Sequence, residues 1–319
     1  MAFRVYFLRV QTWCWCTCLQ RRWRGISVSF ANRTCIRNHQ QCKVAVVDVM
    51  AGAGVLLQWV GAGTSPVDWC EDNYTVTPHI AEFVNTVSNV LFLVIPGACM
   101  RLWDSYAQHV SRGIHVVWVF FTIVGISSAY FHATLSLLGQ LLDELSILWL
   151  LMVSYALFTP VHFRPRFLQA NRRMYYLAVS LLAILITGSA FVQPAINCYA
   201  LFGVGSPAIA MLTVQVRRAS DPAVKRLGMV TLSGLALAAT AWVGDHILCT
   251  VLRAIDLAIL HGLWHILIFF SSYNTQVLFC YFHAIQEVPE KKPTLRYWPN
   301  RWWGLPYVYC QSSRHDKTP

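Results

Sequence analysis

Three histidines, three acids and a serine lie inside or at the edges of otherwise apolar stretches, where an ionisable side chain is costly and usually functional. The stretch SSAYFHATLS holds Ser128 and His132 at i,i+4, one helical turn apart on one face. A Leu-Leu-Gly turn at 137–139 is expected next, followed by QLLDEL with Asp143 and Glu144. Further on, HGLWH sets His261 and His265 at i,i+4, and Asp245 precedes them in another apolar run. Three imidazoles from two helices suit a zinc ion that keeps a fourth position open for water. Each residue alone has a plainer role. A buried histidine can bond a neighbouring carbonyl, Asp143 can complement a helix N-terminus, and Ser128 can ease helix packing. Asp245 can either orient a histidine from behind or cap a kink.

A second group is acidic. VDWCEDN and the following Glu82 place Asp68, Glu71, Asp72, Asn73 and Glu82 within 15 residues. Hard oxygens suit calcium better than zinc; a solvated acidic loop is the alternative. Asn73-Tyr74-Thr75 is also a glycosylation sequon, and Asn73 cannot serve both ends.

The elements that must position these groups are membrane spans. The chain of 319 residues is 56% hydrophobic and 12% charged, about half the charge of a soluble protein. That excludes a soluble globular enzyme and a disordered chain. Seven segments approach the roughly 20 apolar residues a bilayer crossing needs, near 82–102, 114–135, 139–159, 174–192, 198–216, 227–250 and 260–284. The expected fold is all-α, a seven-transmembrane helical bundle. Arg101, Arg112, Arg164, Arg166, Arg172, Arg173, Arg217, Arg218, Lys225 and Arg226 lie in the odd loops, against Arg253 alone in the even ones. This bias puts the N-terminus in the lumen and the C-terminus in the cytosol. His132 then lies near the lumenal end of the second span, and Asp143, His261 and His265 near the lumenal starts of the third and seventh. All four share one depth.

The net charge of +11 does not indicate nucleic acid. Residues 1–49 carry eight basic residues against Asp48 alone, and most of the rest sits in short loops. Cys14, Cys16 and Cys18 lack the partners a zinc finger needs. The basic extension opposes the predicted orientation. A start at Met50 removes that conflict, so residues 1–49 are expected to be dispensable. The expected organisation is that extension, a lumenal segment over 50–81, the seven-span domain over 82–285 and a cytosolic tail over 286–319. An internal repeat of the kind a transporter carries is not apparent, which leaves a lipid receptor or a metal-stapled lipid-binding protein as the rivals to an enzyme.

VDWCEDN, AEFVNTVSN, YFHATLSLLGQLLDEL, QPAIN, HGLWHIL and RYWPNRWWGLPYV resemble the alkaline ceramidases, polytopic amidases within the superfamily of progestin and adiponectin receptors. The resemblance covers roughly residues 65–308. It implies an enzyme that hydrolyses ceramide to sphingosine and fatty acid in the endoplasmic reticulum membrane, with the Golgi as the alternative. His132, His261 and His265 are implied to bind zinc, and Ser128 and Asp143 to act on the substrate. Asp68, Glu71, Asn73, Glu82 and the Trp69 carbonyl are implied to bind calcium, and Cys70 and Cys249 to form a disulfide. The expected partners are ceramide and membrane lipid, with no nucleic acid and no obligate protein. In the sixth span Gly244, Asp245 and His246 stand where the family usually has Ser-Asp-Arg.

Overall fold

The computed structural model describes residues 58–301 and 304–311. The extension over 1–49 and the candidate start at Met50 lie outside them. Among the described residues, ten α-helices and a hairpin lie between Phe83 and Tyr309. They are α1 (Phe83–Val87), α2 (Val90–Leu102), α3 (Asp104–His109), α4 (Gly113–Thr134), α5 (Leu137–Phe158), α6 (Arg172–Val192), α7 (Ile196–Arg218), α8 (Pro222–Ile247), α9 (Cys249–Ala254) and α10 (Leu260–Glu287). The antiparallel strands β1 (Thr294–Trp298) and β2 (Leu305–Tyr309) follow.

Six helices among the described residues are long and apolar enough to cross a membrane: residues 83–102 (α1 with α2), α4, α5, α6, α7 and α8. This is a multi-pass membrane protein. The surface agrees. On α6, Leu177, Leu181, Ile184 and Leu185 are 57–68% exposed along one face, which only a hydrocarbon surrounding tolerates. The helix α10 has 28 residues and packs along α8, but is not among these six. It turns His261, His265, Ser271, Gln276 and His283 into the bundle.

Local chemistry sets the boundaries that matter. The turn between α4 and α5 is not at Leu137–Gly139. Leu135 adopts a left-handed φ of 48°, and the Ser136 hydroxyl caps α5 by accepting from the Gly139 N–H at 3.1 Å. Gly139 serves close approach instead, since a Cβ there would lie 3.0 Å from the Phe131 Cα. The sixth long helix begins at Pro222 rather than near 227, because the Asp221 carboxylate caps it through the Ala223 N–H at 2.8 Å and proline suits the first helical position. Between α4 and α2 there is no room for a side chain at Gly125, whose Cβ would come within 2.6 Å of the Phe92 Cβ.

The core runs through the end of the bundle away from the three histidines, where Trp103, Tyr106, Trp118, Phe121 and Tyr273 are fully buried. The hairpin closes that end. Tyr273 donates to the Pro306 carbonyl at 2.8 Å and Ser105 to the Cys310 carbonyl at 2.9 Å, and Val308 is buried.

Candidate metal centre

His132 lies in the last turn of α4, and His261 and His265 in the first two turns of α10. One ring nitrogen from each lies within 4.8 Å of the other two, and all three side chains are buried. No other group of three such ligands comes that close among the described residues.

Hydrogen bonds fix which nitrogen faces the centre. His132 Nδ1 donates to the Glu82 carboxylate, and its Nε2 has no partner among the described residues. The Ser88 hydroxyl donates to the Asn85 carbonyl at 2.9 Å, so it accepts from His265 Nδ1 at 2.7 Å. His265 Nε2 then presents a lone pair, 3.5 Å from Ser128 Oγ. His261 is held by stacking: its ring lies 3.5 Å from Trp69 and 4.9 Å from Trp264, centroid to centroid. Neither of its nitrogens has a hydrogen-bond partner among the described residues. Buried polar atoms without partners are costly, and three of those among the described residues, His132 Nε2 and both His261 nitrogens, belong to this set. These three residues could hold a metal ion, which would supply the missing partner, and neutral imidazoles backed by a carboxylate and a hydroxyl suit zinc.

Asp143, in the second turn of α5, is buried and faces the Ser128 hydroxyl. Glu144 points elsewhere, accepting from Gln140 Nε2 at 3.0 Å and Asn197 Nδ2 at 2.8 Å. Asp245 caps rather than touching an imidazole. Its two oxygens accept the backbone N–H groups of His261 at 3.2 Å and Cys70 at 3.0 Å, pinning α10 to the loop. His246, at the position of the expected family arginine, stacks on Trp69 at 4.6 Å.

The acidic loop sits against this centre. Glu82 is fully buried and accepts from the Trp69 N–H at 2.9 Å and Asn85 Nδ2 at 3.0 Å as well as from His132. Glu71 caps α1, accepting from the backbone N–H groups of Val84 at 2.6 Å and Asn85 at 2.9 Å. Asp68 accepts from Asn73 Nδ2 at 3.0 Å. Burial pushes the Asp68 and Glu71 carboxyls above their ordinary range, and the nearby Glu82 charge adds to it. Cys70 and Cys249 form a disulfide that ties the loop to α9.

The ceramidase family model matches residues 61–309, a span that contains every residue just described. The chain belongs to the alkaline ceramidase family. It is 42% identical over 267 residues to the alkaline ceramidase of Drosophila melanogaster, covering 81% of this chain and 94% of that one. It is 38% identical over 255 residues to alkaline ceramidase 1 of Homo sapiens, covering 79% and 97%, and 28% identical over 248 residues to the alkaline ceramidase of Caenorhabditis elegans, covering 75% and 91%. The family match leaves residues 1–60 outside it.

Ser88, Asn85 and the Trp69 ring are contributors that the sequence reading did not single out, and Glu82 has a partner there that it did not foresee. A signal was present. Glu82, Asn85 and Asn89 recur at i, i+3 and i+7 along an apolar stretch, and all three are buried.

Proposed function

We propose that this chain is an intramembrane amidase that hydrolyses ceramide to sphingosine and a free fatty acid, with zinc held by His132, His261 and His265. The observation that carries the reading is the convergence of three buried imidazoles, two of them backed by Glu82 and Ser88, beside the Ser128–Asp143 pair. Membership of the alkaline ceramidase family supplies the substrate class.

When bound, zinc supplies a water of lowered pKa and a Lewis acid at the amide carbonyl. The chain's own groups do the rest. Asp143 accepts the proton of the attacking water. Ser128 donates a hydrogen bond to the carbonyl oxygen as its negative charge grows; its hydroxyl lies 3.5 Å from His265 Nε2, so it is within reach of the same small volume. As the C–N bond breaks, Asp143 passes its proton to the leaving nitrogen, which departs as the sphingosine amine. Glu82 and Ser88 keep His132 and His265 in the tautomers that present Nε2, and the Trp69–Trp264 stack orients His261. An amide between two hydrocarbon tails is reached most directly within a bilayer, which fits a centre set at the ends of apolar helices.

In the same reading α10 is the seventh span, and its inward polar face accounts for its lower apolarity. The loop charges orient the histidine end towards the lumen of the endoplasmic reticulum and the C-terminus towards the cytosol. Asp68, Glu71, Asn73, Glu82 and the Trp69 carbonyl form a calcium-responsive clamp. The desolvated carboxyls of Asp68 and Glu71, each disfavoured by Glu82, are what a divalent cation would relieve. Through Glu82 the clamp reaches His132, so calcium tunes the metal centre without entering the chemistry.

The test is product analysis with purified protein and ceramide labelled in both halves. Equimolar sphingosine and fatty acid are expected. Saturable ceramide binding with no product would refute an enzyme and favour a receptor.

A further inference from the structure

The helix α7 is weakened at one place, between Phe202 and Pro207. Pro207 has no N–H, so the Gly203 carbonyl loses its helical donor. The Ser206 hydroxyl donates back to the Phe202 carbonyl at 2.6 Å, a bond that bends helices. The Tyr155 hydroxyl of α5 donates to the Val204 carbonyl at 2.7 Å, a side-chain insertion of the kind found at kinks. Gly203 and Gly205 add backbone freedom. Packing requires neither, since an added Cβ at either would meet nothing within 4 Å. Gly125 and Gly228 differ, because a Cβ there would fall 2.6 Å from the Phe92 Cβ and 2.5 Å from the Val216 Cγ1.

Burial divides α7 at the same point. Ala208, Met211, Leu212, Gln215 and Val216 anchor the second half in the bundle, whereas in the first half only Asn197 is buried. The ties of the first half are light. Asn197 Nδ2 donates to the Glu144 carboxylate at 2.8 Å, and Glu144 is the residue next to Asp143. Leu201 and Val204 rest, partly buried, on the cluster that includes Leu141 and Leu145 of α5. Phe202 meets Trp242 of α8 edge-on, with ring centroids 6.3 Å apart. Lipid tails are as apolar as leucine and replace such contacts at little cost. The Asn197–Glu144 hydrogen bond is then the main latch.

We propose that residues 196–202 are a gate, which swings about 203–207 away from α5 and admits a lipid from the bilayer to Asp143 and Ser128. The opening falls beside Asp143 because the latch is on Glu144. That the lipid is ceramide rests on the amidase reading above.

The experiment uses the full chain in lipid nanodiscs. Amide hydrogen exchange reads the hinge, and the association rate of a fluorescent ceramide with zinc-stripped protein reads the gate. In the parent, residues 200–206 should exchange at least about tenfold faster than 208–216. Gly203→Ala with Gly205→Ala fills open space, so the double variant should keep its zinc and unfold at a higher midpoint. Its exchange over 200–206 and its ceramide association should both slow, by about fivefold for each glycine replaced. Pro207→Ala restores the missing donor and should act in the same direction. Exchange over 200–206 as slow as over 208–216 would overturn the proposal, as would stiffened variants that take up ceramide at the parent's rate. A double variant with a lower midpoint or less zinc would show the glycines to be structural and would overturn it too. Uptake that slows as expected, while the zinc-loaded parent releases no product, would support the gate and refute the amidase.

Discussion

The substitution Glu82→Gln tests whether a carboxylate behind His132 sets the metal affinity. Three donors converge on this fully buried side chain: the Trp69 N–H at 2.9 Å, Asn85 Nδ2 at 3.0 Å and His132 Nδ1. A carboxylate accepts all three. An amide of the same size has one oxygen, and its NH2 group must face at least one of the donors. The lost acceptor leaves a buried donor unsatisfied, at about 1–3 kcal/mol. His132 also exchanges an anionic acceptor for a neutral one, about another 1 kcal/mol. Part of the cost falls on folding and part on the metal, so zinc affinity should drop about 10- to 100-fold, the range seen when such supporting groups are altered. The assay is competition against a chelator of known affinity, run with calcium chelated and again at saturating calcium. A loss present in both conditions belongs to His132. A Glu82→Gln protein whose zinc affinity lies within about threefold of the parent's would refute the reasoning.

Other outcomes follow from the same geometry. Asp143→Asn should keep a full complement of zinc and lose turnover by at least about 100-fold, a general acid–base effect, checked by metal analysis beside product formation. Asp68→Asn is a cleaner probe of calcium than Glu82, since Asp68 touches no histidine ligand. Activity measured against free calcium should shift to higher concentration in this variant, with zinc content unchanged. In the proposed clamp calcium would compete with protons for the Asp68 and Glu71 carboxyls, whose pKa values are raised. The parent's calcium affinity should therefore fall as pH drops towards that raised range, while still above the ordinary carboxylate values. Gly125→Ala drives a methyl to within 2.6 Å of the Phe92 Cβ. It should cost about 1–3 kcal/mol in a denaturation measurement and loosen α4, which carries Ser128 and His132.

Much of this was legible in the chain. Apolar runs with polar residues at helical spacing announce spans, and the alternation of successive spans already brings His132, His261 and His265 to one end of the bundle, where the structure gathers them. Tertiary contacts between distant segments were not legible. Five oxygen-bearing side chains in the loop and at Glu82 say nothing about which turn inward, so the hydrogen bond from His132 to Glu82 emerges only with α1 packed on α4. The Ser88–His265 bond likewise depends on α1 meeting α10, 177 residues apart. Trp69 entered through the family resemblance as a carbonyl donor, whereas the structure adds its ring, stacked on His261. Two misplaced boundaries had local signals: Ser136 as the cap of α5, and Asp221-Pro222 as the start of α8.

The central claim is that turnover of ceramide depends on one zinc ion held by His132, His261 and His265. The most direct measurement strips the purified protein with a chelator, removes the chelator and titrates zinc back while recording sphingosine release and bound metal together. Activity should start near zero, rise linearly and reach its plateau at one zinc per chain, and His261→Ala should stay inactive across the titration. Full turnover by the stripped protein, or by His261→Ala without stoichiometric zinc, would contradict the account.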